Sequence, residues 1–534
     1  ETEVFDSPIR FEEIAQSVGV DFTYRNDEEA GQYAILESLG GGTCIFDYDG
    51  DGLQDLFVPG GGEFGENLTV EGLPGALFRQ TGSLRYRDVT NLSGTGEAPH
   101  YSHGGHSADY DNDGFPDLLI TGYGGVVLLH NRGDGTFQDV TAESGMSSDT
   151  LWSSSAAWMD LSGDGLLDVY LAHYVNWSFQ NNPVCKLPPP ANRDVCPPRD
   201  FQPLPDTVFF ARGDGTFEDV SQKIGLRQDG KGLGVVSADL DLDGDLDVYV
   251  ANDTVPNFLY RNTGDGILED VSLMSGTSLN NEGAPDGSMG VDVVDYNLDG
   301  VPDLWCVNYE NESLALYRNE GNCLFQHISQ STGIKSAAGL LVSWGTAFFD
   351  MDCDKDEDVF VSNGHVIRHP VNAPLRQLPL LLANDRGQRF VNINRGAGDY
   401  LSQPHMGRGL SAGDLDDDGN LDLIISHINE PVAILHNRTE HGRHWIGFRL
   451  IGRSSPRNAI GVRIEIREEG MTLSRQVKGG GSYASTHDLR VHFGLGESNR
   501  LDEVHIFWPS GIEQTLANLA IDRYHTIIEP PKAD

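Results

Sequence analysis

Short apolar runs rich in Val, Ile, Leu, Phe and Tyr recur along the first 440 residues, as in Leu56-Phe57-Val58 and Val248-Tyr249-Val250. Gly, Asp and Asn bound them on both sides, so they read as strands separated by turns rather than as helices. The runs come in groups. A first strand often carries glycine five residues before an acidic turn, at Gly42, Gly104, Gly234, Gly290, Gly345 and Gly409. A β-branched or aromatic strand follows the turn. A third strand then leads through a glycine-rich turn, as in Leu129 to Phe137, into a fourth strand such as Phe137 to Val140. Four strands in a unit of about 50–60 residues predict the blades of a β-propeller.

Fourth strands are legible at Tyr86 to Val89, Phe137 to Val140, Phe217 to Val220, Leu268 to Val271, Phe325 to Ile328 and Phe390 to Ile393. The seventh unit runs through Asn437 without one. Phe11 to Ile14 has the same pattern, so the front of the chain is expected to complete the last blade and protect the sheet edges. The expected fold is all-β: a seven-bladed propeller over residues 1–440 and a small sandwich or barrel over 441–534. Alternating runs at Trp445 to Leu450, Gly461 to Ile466, Arg490 to Phe493, Glu503 to Trp508 and Tyr524 to Ile528 supply the second domain's strands.

The turn after each first strand has one pattern, Asp-x-Asp-x-Asp-Gly-x-x-Asp, repeated seven times. The copies are Asp47, Asp49, Asp51, Asp55; Asp109, Asp111, Asp113, Asp117; Asp160, Ser162, Asp164, Asp168; and Asp239, Asp241, Asp243, Asp247. The last three are Asp295, Asn297, Asp299, Asp303; Asp350, Asp352, Asp354, Asp358; and Asp414, Asp416, Asp418, Asp422. Alternate carboxylates in a tight loop converge hard oxygens on one centre, which suits Ca²⁺ with its 6–8 oxygen ligands. The alternate ligand positions of these loops carry no His or Cys for a transition metal. An EF-hand would need flanking helices and Glu at the twelfth position, where the first copy has Val58. Up to seven Ca²⁺ are expected, bound more weakly by the third, fifth and sixth loops, where Ser162, Asn297 and Lys355 depart from the pattern.

Charge bears on this expectation. Asp and Glu number 81 against 36 Lys and Arg, a net −45. No basic stripe exists for nucleic acid, and self-repulsion on this scale opposes folding unless cations offset it. No apolar run is long enough for a transmembrane helix. Because the chain opens on Glu1 rather than Met, a processed or trimmed product is expected, compatible with removal of a signal peptide. Cys185 and Cys196 lie in a Pro-rich insertion, Pro183 to Pro198, where a disulfide would staple a long loop. Cys44, Cys306, Cys323 and Cys353 cannot be paired from sequence.

The acidic loops with Asn-x-Gly-Asp-Gly-x-Phe turns resemble FG-GAP, integrin-α-like propeller repeats. Arg457 to Arg463, Gly479-Gly-Gly-Ser-Tyr483, Arg490 to Gly496 and Phe507 to Gly511 resemble the ASPIC/UnbV domain. The combination is similar to the bacterial relatives of cartilage acidic protein. That resemblance implies a secreted or periplasmic location, calcium sites and a binding role, and no established reaction.

If all acidic loops share one face, the far ends of the second strands share the other. There the sequence places Tyr123, His173, Tyr174, Asn252, Asp253, Asn308, Glu310, Asn363, His365 and His427. The starts of first strands add His103, Trp344 and Arg408. A polar, aromatic and His-containing ring near the axis is the expected ligand site for a glycan, protein or small molecule. Two alternatives stand beside binding. One is a lyase- or dehydratase-like or metal-assisted enzyme using His103, His173, His365 or His427 as base or metal ligand. The other is a structural subunit of a surface assembly. No recognisable catalytic motif supports the enzyme.

Overall fold

The computed structural model describes residues 7–189, 191–468 and 470–532. Pro190 of the Pro-rich insertion and the outermost residues of the two expected domains lie outside that range.

Among the described residues up to Asn437 the chain forms seven four-stranded antiparallel sheets, one of them extended by a fifth strand, and two two-stranded hairpins in its insertions. Their first strands are Cys44–Phe46, Tyr101–Ala108, Ser153–Met159, Gly232–Ala238, Ser288–Val294, Ser343–Phe349 and Gly407–Gly413. These contact one another in chain order, and the last returns to the first, closing a ring. Second strands such as Asp247–Asn252 and Asp422–His427 are buried along their whole length, because each sheet is packed on both faces. Fourth strands such as Phe217–Asp219 bury only their leading aromatic, because they form the outer rim. Phe11–Glu13 pairs antiparallel with Ala433–Asn437, Phe11 opposite Asn437, and is the fourth strand of the last sheet.

Six of the seven first strands carry a register shift, such as that between Gly232 and Gly234 or between Ser288 and Val291. Neighbouring strands converge there: a Cβ on Gly290 would lie 2.0 Å from the carbonyl oxygen of Trp344. Crowding at the axis therefore accounts for the recurring first-strand glycine.

After Asn437 the chain leaves the ring and builds two further sheets. In one, His444–Ile451 lies between Val491–Gly496 and, in parallel, Tyr524–Ile528. In the other, Met471–Gln476, Arg463–Glu468, Glu503–Phe507 and Glu513–Ala517 run antiparallel in that order. Ile446, Phe448, Ile464, Val504 and Trp508 share one apolar core with Trp158, Leu246 and Val248 of the ring. The second domain is thus packed on the ring rather than tethered to it.

Between its strands this domain sends residues 479–488 into the ring's axis. Gly479–Gly480 pairs with Gly232–Ala238. Ser482 exchanges backbone hydrogen bonds with Val291, and its hydroxyl donates to the carbonyl of Leu410 and accepts from the amide of Thr346. Ala484 donates to Ser155 Oγ, Ser485 Oγ accepts from the amide of Thr43, and Thr486 Oγ1 donates to the carbonyl of Gly105. One short segment therefore bonds to all seven sheets. A Cβ on Gly479 would lie 1.9 Å from the carbonyl oxygen of Trp158, and Gly480 sits at φ +72°, so the glycine run is required by the narrowness of the bore.

Candidate metal loops and the opposite face

Each acidic loop joins a first strand to a second strand, and all seven share one construction. The first Asp accepts the amide of the sixth residue: Gly52, Gly114, Gly165, Gly244, Gly300, Lys355 and Gly419 donate at 2.7–3.1 Å. The ninth Asp opens the second strand and accepts an amide from the end of the third: Gln80, Asn131, Ala211, Asn262, Asn319, Asn384 and Asn437 donate at 2.7–3.0 Å. The Asn of the Asn-x-Gly-Asp-Gly turns also has a role beyond its own turn. Asn319 Nδ2 donates to the carbonyl of Leu240 at 2.7 Å and of Pro302 at 2.8 Å, fastening its sheet to the preceding acidic loop. Asn131, Asn262, Asn384, Asn437 and Gln80 do the same around the ring. The third sheet ends instead on Ala211 and lacks this fastening.

Six of the seven loops also hold one buried oxygen without a partner: Asp47 Oδ1, Asp109 Oδ1, Ser162 Oγ, Asp241 Oδ1, Asp303 Oδ2 and Asp416 Oδ1. In the sixth loop the corresponding Asp352 Oδ1 meets the guanidinium of Arg443 at 2.6 Å. Burial first, then like-charged neighbours, pushes the carboxyls up: Asp55 to about 8, Asp109, Asp168 and Asp295 to about 7, and Asp303 to about 9. Burial likewise holds Asp247, Asp350, Asp358 and Asp414 well above the usual range. A buried polar atom left unpaired costs about 1–3 kcal/mol. One such atom in six of the seven loops, beside other carboxylates, fits a cation at those centres.

The departures from the pattern are absorbed locally. Lys355 adopts φ 90°, the conformation glycine takes in the other loops, and its ammonium pairs with Glu468 outside the cluster. Asn297 Nδ2 donates to Asp299 Oδ2 at 2.8 Å, which occupies one candidate ligand atom.

Third strands bring basic side chains to these loops that the loop sequences do not contain. The guanidinium of Arg79 meets Asp49 and Asp51, at 2.5 and 3.1 Å. His130 Nδ1 lies 3.1 Å from Asp117 and 3.4 Å from Asp111, and His436 Nδ1 lies 2.9 Å from Asp422. Arg261 and Arg318 hold the equivalent place by the fourth and fifth loops, whereas Phe210 and Ala383 stand there in the third and sixth sheets. The signal was present in sequence: each is the residue before the Asn, Gln or Ala that ends a third strand. The second domain adds cations too. Arg443 contacts Asp352 at 2.6 Å, Arg449 contacts Asp47 at 3.4 Å, Arg457 contacts Asp109 at 3.5 Å and Arg490 contacts Asp417 at 2.6 Å. The domain thus reaches the first, second, sixth and seventh loops, while loop carboxylates such as Asp51, Asp113, Asp164 and Asp243 stay exposed.

The opposite face does not present the expected ring. His103 is buried; its Nε2 accepts the Trp152 indole N–H at 2.9 Å and its Nδ1 faces the Gly40 carbonyl, and burial lowers it to about 4. His427 lies between the Pro431 carbonyl and the Tyr400 hydroxyl, and burial again lowers it to about 4. Burial lowers His173, but Asp149 at 3.0 Å outweighs this and leaves it raised. His365 Nδ1 accepts the amide of Ile367, and burial lowers the ring to about 4. Glu310 Oε2 lies 3.6 Å from the other nitrogen of that ring.

The Asn side chains satisfy turn backbone. Asn252 Nδ2 donates to Pro256, Asn308 Nδ2 to Ser313 and Asn363 Nδ2 to Leu378. The Tyr174 hydroxyl donates to Asp253 at 2.6 Å, and that of Tyr123 to the Trp177 carbonyl. Arg408 is fully buried, stacked 4.3 Å from the Trp344 ring, with its guanidinium donating to the carbonyls of Ser38, Leu39, Gly364, His365 and Gly407. None of the four histidines stands open as a base or ligand.

The physical reason is that long insertions roof these residues. Residues 24–41, the hairpin Gly62–Gly65 with Thr69–Gly72, residues 174–204 and residues 363–377 converge over the axis. Phe64 packs on Trp177 and Phe179, Arg368 pairs with Glu37, and Arg193 and Arg368 both stack on Tyr33. Cys185 and Cys196 are joined by a disulfide in this roof, with Cα atoms 5.3 Å apart. Cys44, Cys306, Cys323 and Cys353 are buried and free.

Similarity to known proteins follows the same division. Residues 47–120, 109–171, 202–250, 239–306 and 295–361 match the FG-GAP-like repeat, and residues 452–534 match ASPIC and UnbV. Human cartilage acidic protein 1 is 25% identical over 389 residues, covering 70% of this chain and 53% of that protein. The Xenopus tropicalis protein of the same name is 24% identical over 504 residues, covering 88% and 70%. The chain thus spans about half the length of its mammalian relatives. Among solved structures, an Agrocybe aegerita lectin described as recognising non-reducing terminal N-acetylglucosamine has TM-score 0.38, 14% identity, and covers 73% of this chain and 87% of its own. YCF48 bound to a D1 peptide has TM-score 0.42, 8% identity, and covers 82% and 96%. Neither score bears on what this chain binds. The repeats and the domain that follows them place this chain in the family of FG-GAP-like repeat proteins carrying an ASPIC and UnbV domain, the family of cartilage acidic protein 1.

Proposed function

We propose that the protein is a secreted or periplasmic calcium-binding propeller that presents a ligand-binding surface on the face away from its acidic loops. The unpartnered buried oxygen in six of the seven loops carries the calcium part. The carboxylates of each loop would hold the ion, and the ion would supply charge neutralisation and rigidity, not chemistry. The disulfide in the roof supports an oxidising compartment.

Three features support that location. The second domain sits on the loop side, residues 479–488 fill the axis, and the roof of insertions with its surroundings exposes Leu68, Val184, Leu340, Val371, Leu375 and Leu378 to solvent. Exposed apolar side chains grouped on loops over a rigid scaffold support a docking surface for a protein or glycan.

Two measurements test this reading. Equilibrium dialysis against Ca²⁺ followed by elemental analysis is expected to return several ions per chain, and fewer than two would refute the calcium part. Replacing Val371, Leu375 and Leu378 together with Ser should abolish retention of the natural ligand from the source medium without moving the melting temperature. Retention unchanged by the triple variant would refute the assignment of the face.

A further inference from the structure

Five of the seven loops have either an Arg or no basic residue at the third-strand position. Arg79, Arg261 and Arg318 cannot ligate a metal, and Phe210 and Ala383 offer no donor. The second and seventh loops receive an imidazole instead. Ligand atoms of Asp111, Asp113 and His130 lie within 4.8 Å of one another, as do those of Asp416, Asp418 and His436. Independently, Asp109 is only 3% exposed and its Oδ1 has no partner in the second loop.

The spacing matters. His130 Nδ1 is 3.1 Å from Asp117 Oδ1 and 3.4 Å from Asp111 Oδ2. His130 Nδ1 is hydrogen-bonded to Asp117 at the shorter of these distances. Two adjacent ligands of an ion with bonds of about 2.1 Å stand about 3.0 Å apart at right angles, so a dication fits where the shared proton now lies. Imidazole beside carboxylates favours first-row transition ions over Ca²⁺, which prefers oxygen alone.

We propose that the second acidic loop together with His130 is a mixed nitrogen and oxygen site for a transition-metal dication such as Zn²⁺, and that the seventh loop with His436 repeats it. The inference rests on reading the acidic loops as metal sites, and it divides them into two chemical classes.

The experiment uses the full chain, loaded with Ca²⁺ and titrated with Zn²⁺ by calorimetry. Cu²⁺ serves as a second probe in pulsed electron paramagnetic resonance. Two zinc sites per chain and imidazole ¹⁴N modulation of the copper signal are expected. His130→Gln and His436→Gln should each weaken one site by about tenfold or more, and the double variant should lose both. His444→Gln, at an exposed His–Asp pair of the second domain, should retain two sites.

Zinc binding that is absent, or the same in the wild type and the double variant, would overturn the proposal, as would copper spectra without nitrogen. Calcium bound at the loops while zinc fails to bind would sink this inference and leave the calcium reading intact. Zinc bound through the two histidines with no calcium bound anywhere would do the reverse.

Discussion

If the acidic loops hold calcium as proposed, removing it should invert the pH dependence expected of an acidic protein. In the metal-free chain, burial lifts Asp295 to about 7 and Asp303 to about 9. In the unfolded chain both ionise near pH 4, at about 3.9. Between those values the native loop binds more protons than the unfolded chain, so stability falls as pH rises. The stability tied to these groups is complete below about pH 4 and is lost progressively toward pH 9. At pH 8 Asp303 alone contributes a loss on the order of 5 kcal/mol, taking about 1.4 kcal/mol per pH unit. That rivals the whole stability of an ordinary domain, about 5–15 kcal/mol. For a chain of this size it lowers the melting temperature by about 5 °C, and the other loops add to it. A dication within bonding distance favours the ionised carboxylates and removes the effect. Calorimetric melting at pH 5, 6.5 and 8, in chelator or in excess Ca²⁺, should give curves that nearly meet at pH 5 and diverge at pH 8. A chelated protein whose melting temperature rises with pH, or matches the calcium form at pH 8, would refute the argument.

Asn319→Ala leaves the carbonyls of Leu240 and Pro302 unpaired between two sheets. It should cost about 2–3 kcal/mol by denaturant melting, while Ala211→Asn, which supplies the fastening missing from the third sheet, should stabilise. Tyr483 is wholly buried with its ring 4.8 Å from Trp344 and its hydroxyl without a partner. Tyr483→Ala should cost about 3–5 kcal/mol, and Tyr483→Phe should be neutral or stabilising; a large loss with Phe would show a hidden partner. Cys185→Ser should leave the global melting temperature nearly unchanged and speed proteolytic cleavage between residues 180 and 200, read by mass spectrometry of the fragments.

The repeating parts of this molecule were legible in its sequence because they are local. The acidic turn, the glycine before it and the aromatic that opens each fourth strand are all set within one sheet, so they recur with the period of the sheet. The strands of the second domain were found at five places; Met471–Gln476 and Glu513–Ala517 were missed because both alternate weakly and are half exposed. What joins the repeats was not legible. Asn319 looks like a turn residue until its amide is seen to reach a neighbouring sheet. His130 and His436 sit thirteen and fourteen residues beyond the ninth Asp they approach. The roof was the largest misjudgement. Asn252, His103 and Arg408 look like a polar mouth in a bare ring and become interior only when the insertions fold over them. Gly479 to Gly481 stood out only as a family resemblance, whereas the axial bore leaves no room for a side chain at Gly479 or Gly480.

The pairing of Phe11 with Asn437 also sets a timetable. Glu12 and its partner Arg438 are 426 residues apart in the chain. At about 5–20 residues per second of synthesis, roughly 20–85 s separate the emergence of the two strands. Throughout that interval the leading strand has no sheet to join, and the growing ring offers an open edge to any other nascent chain. The axial segment emerges later still, so neither the seam nor the bore can be sealed until Asn437 and then residues 479–488 have left the ribosome. A chaperone that shields residues 11–14 would thus protect this protein more than one that acts on any acidic loop.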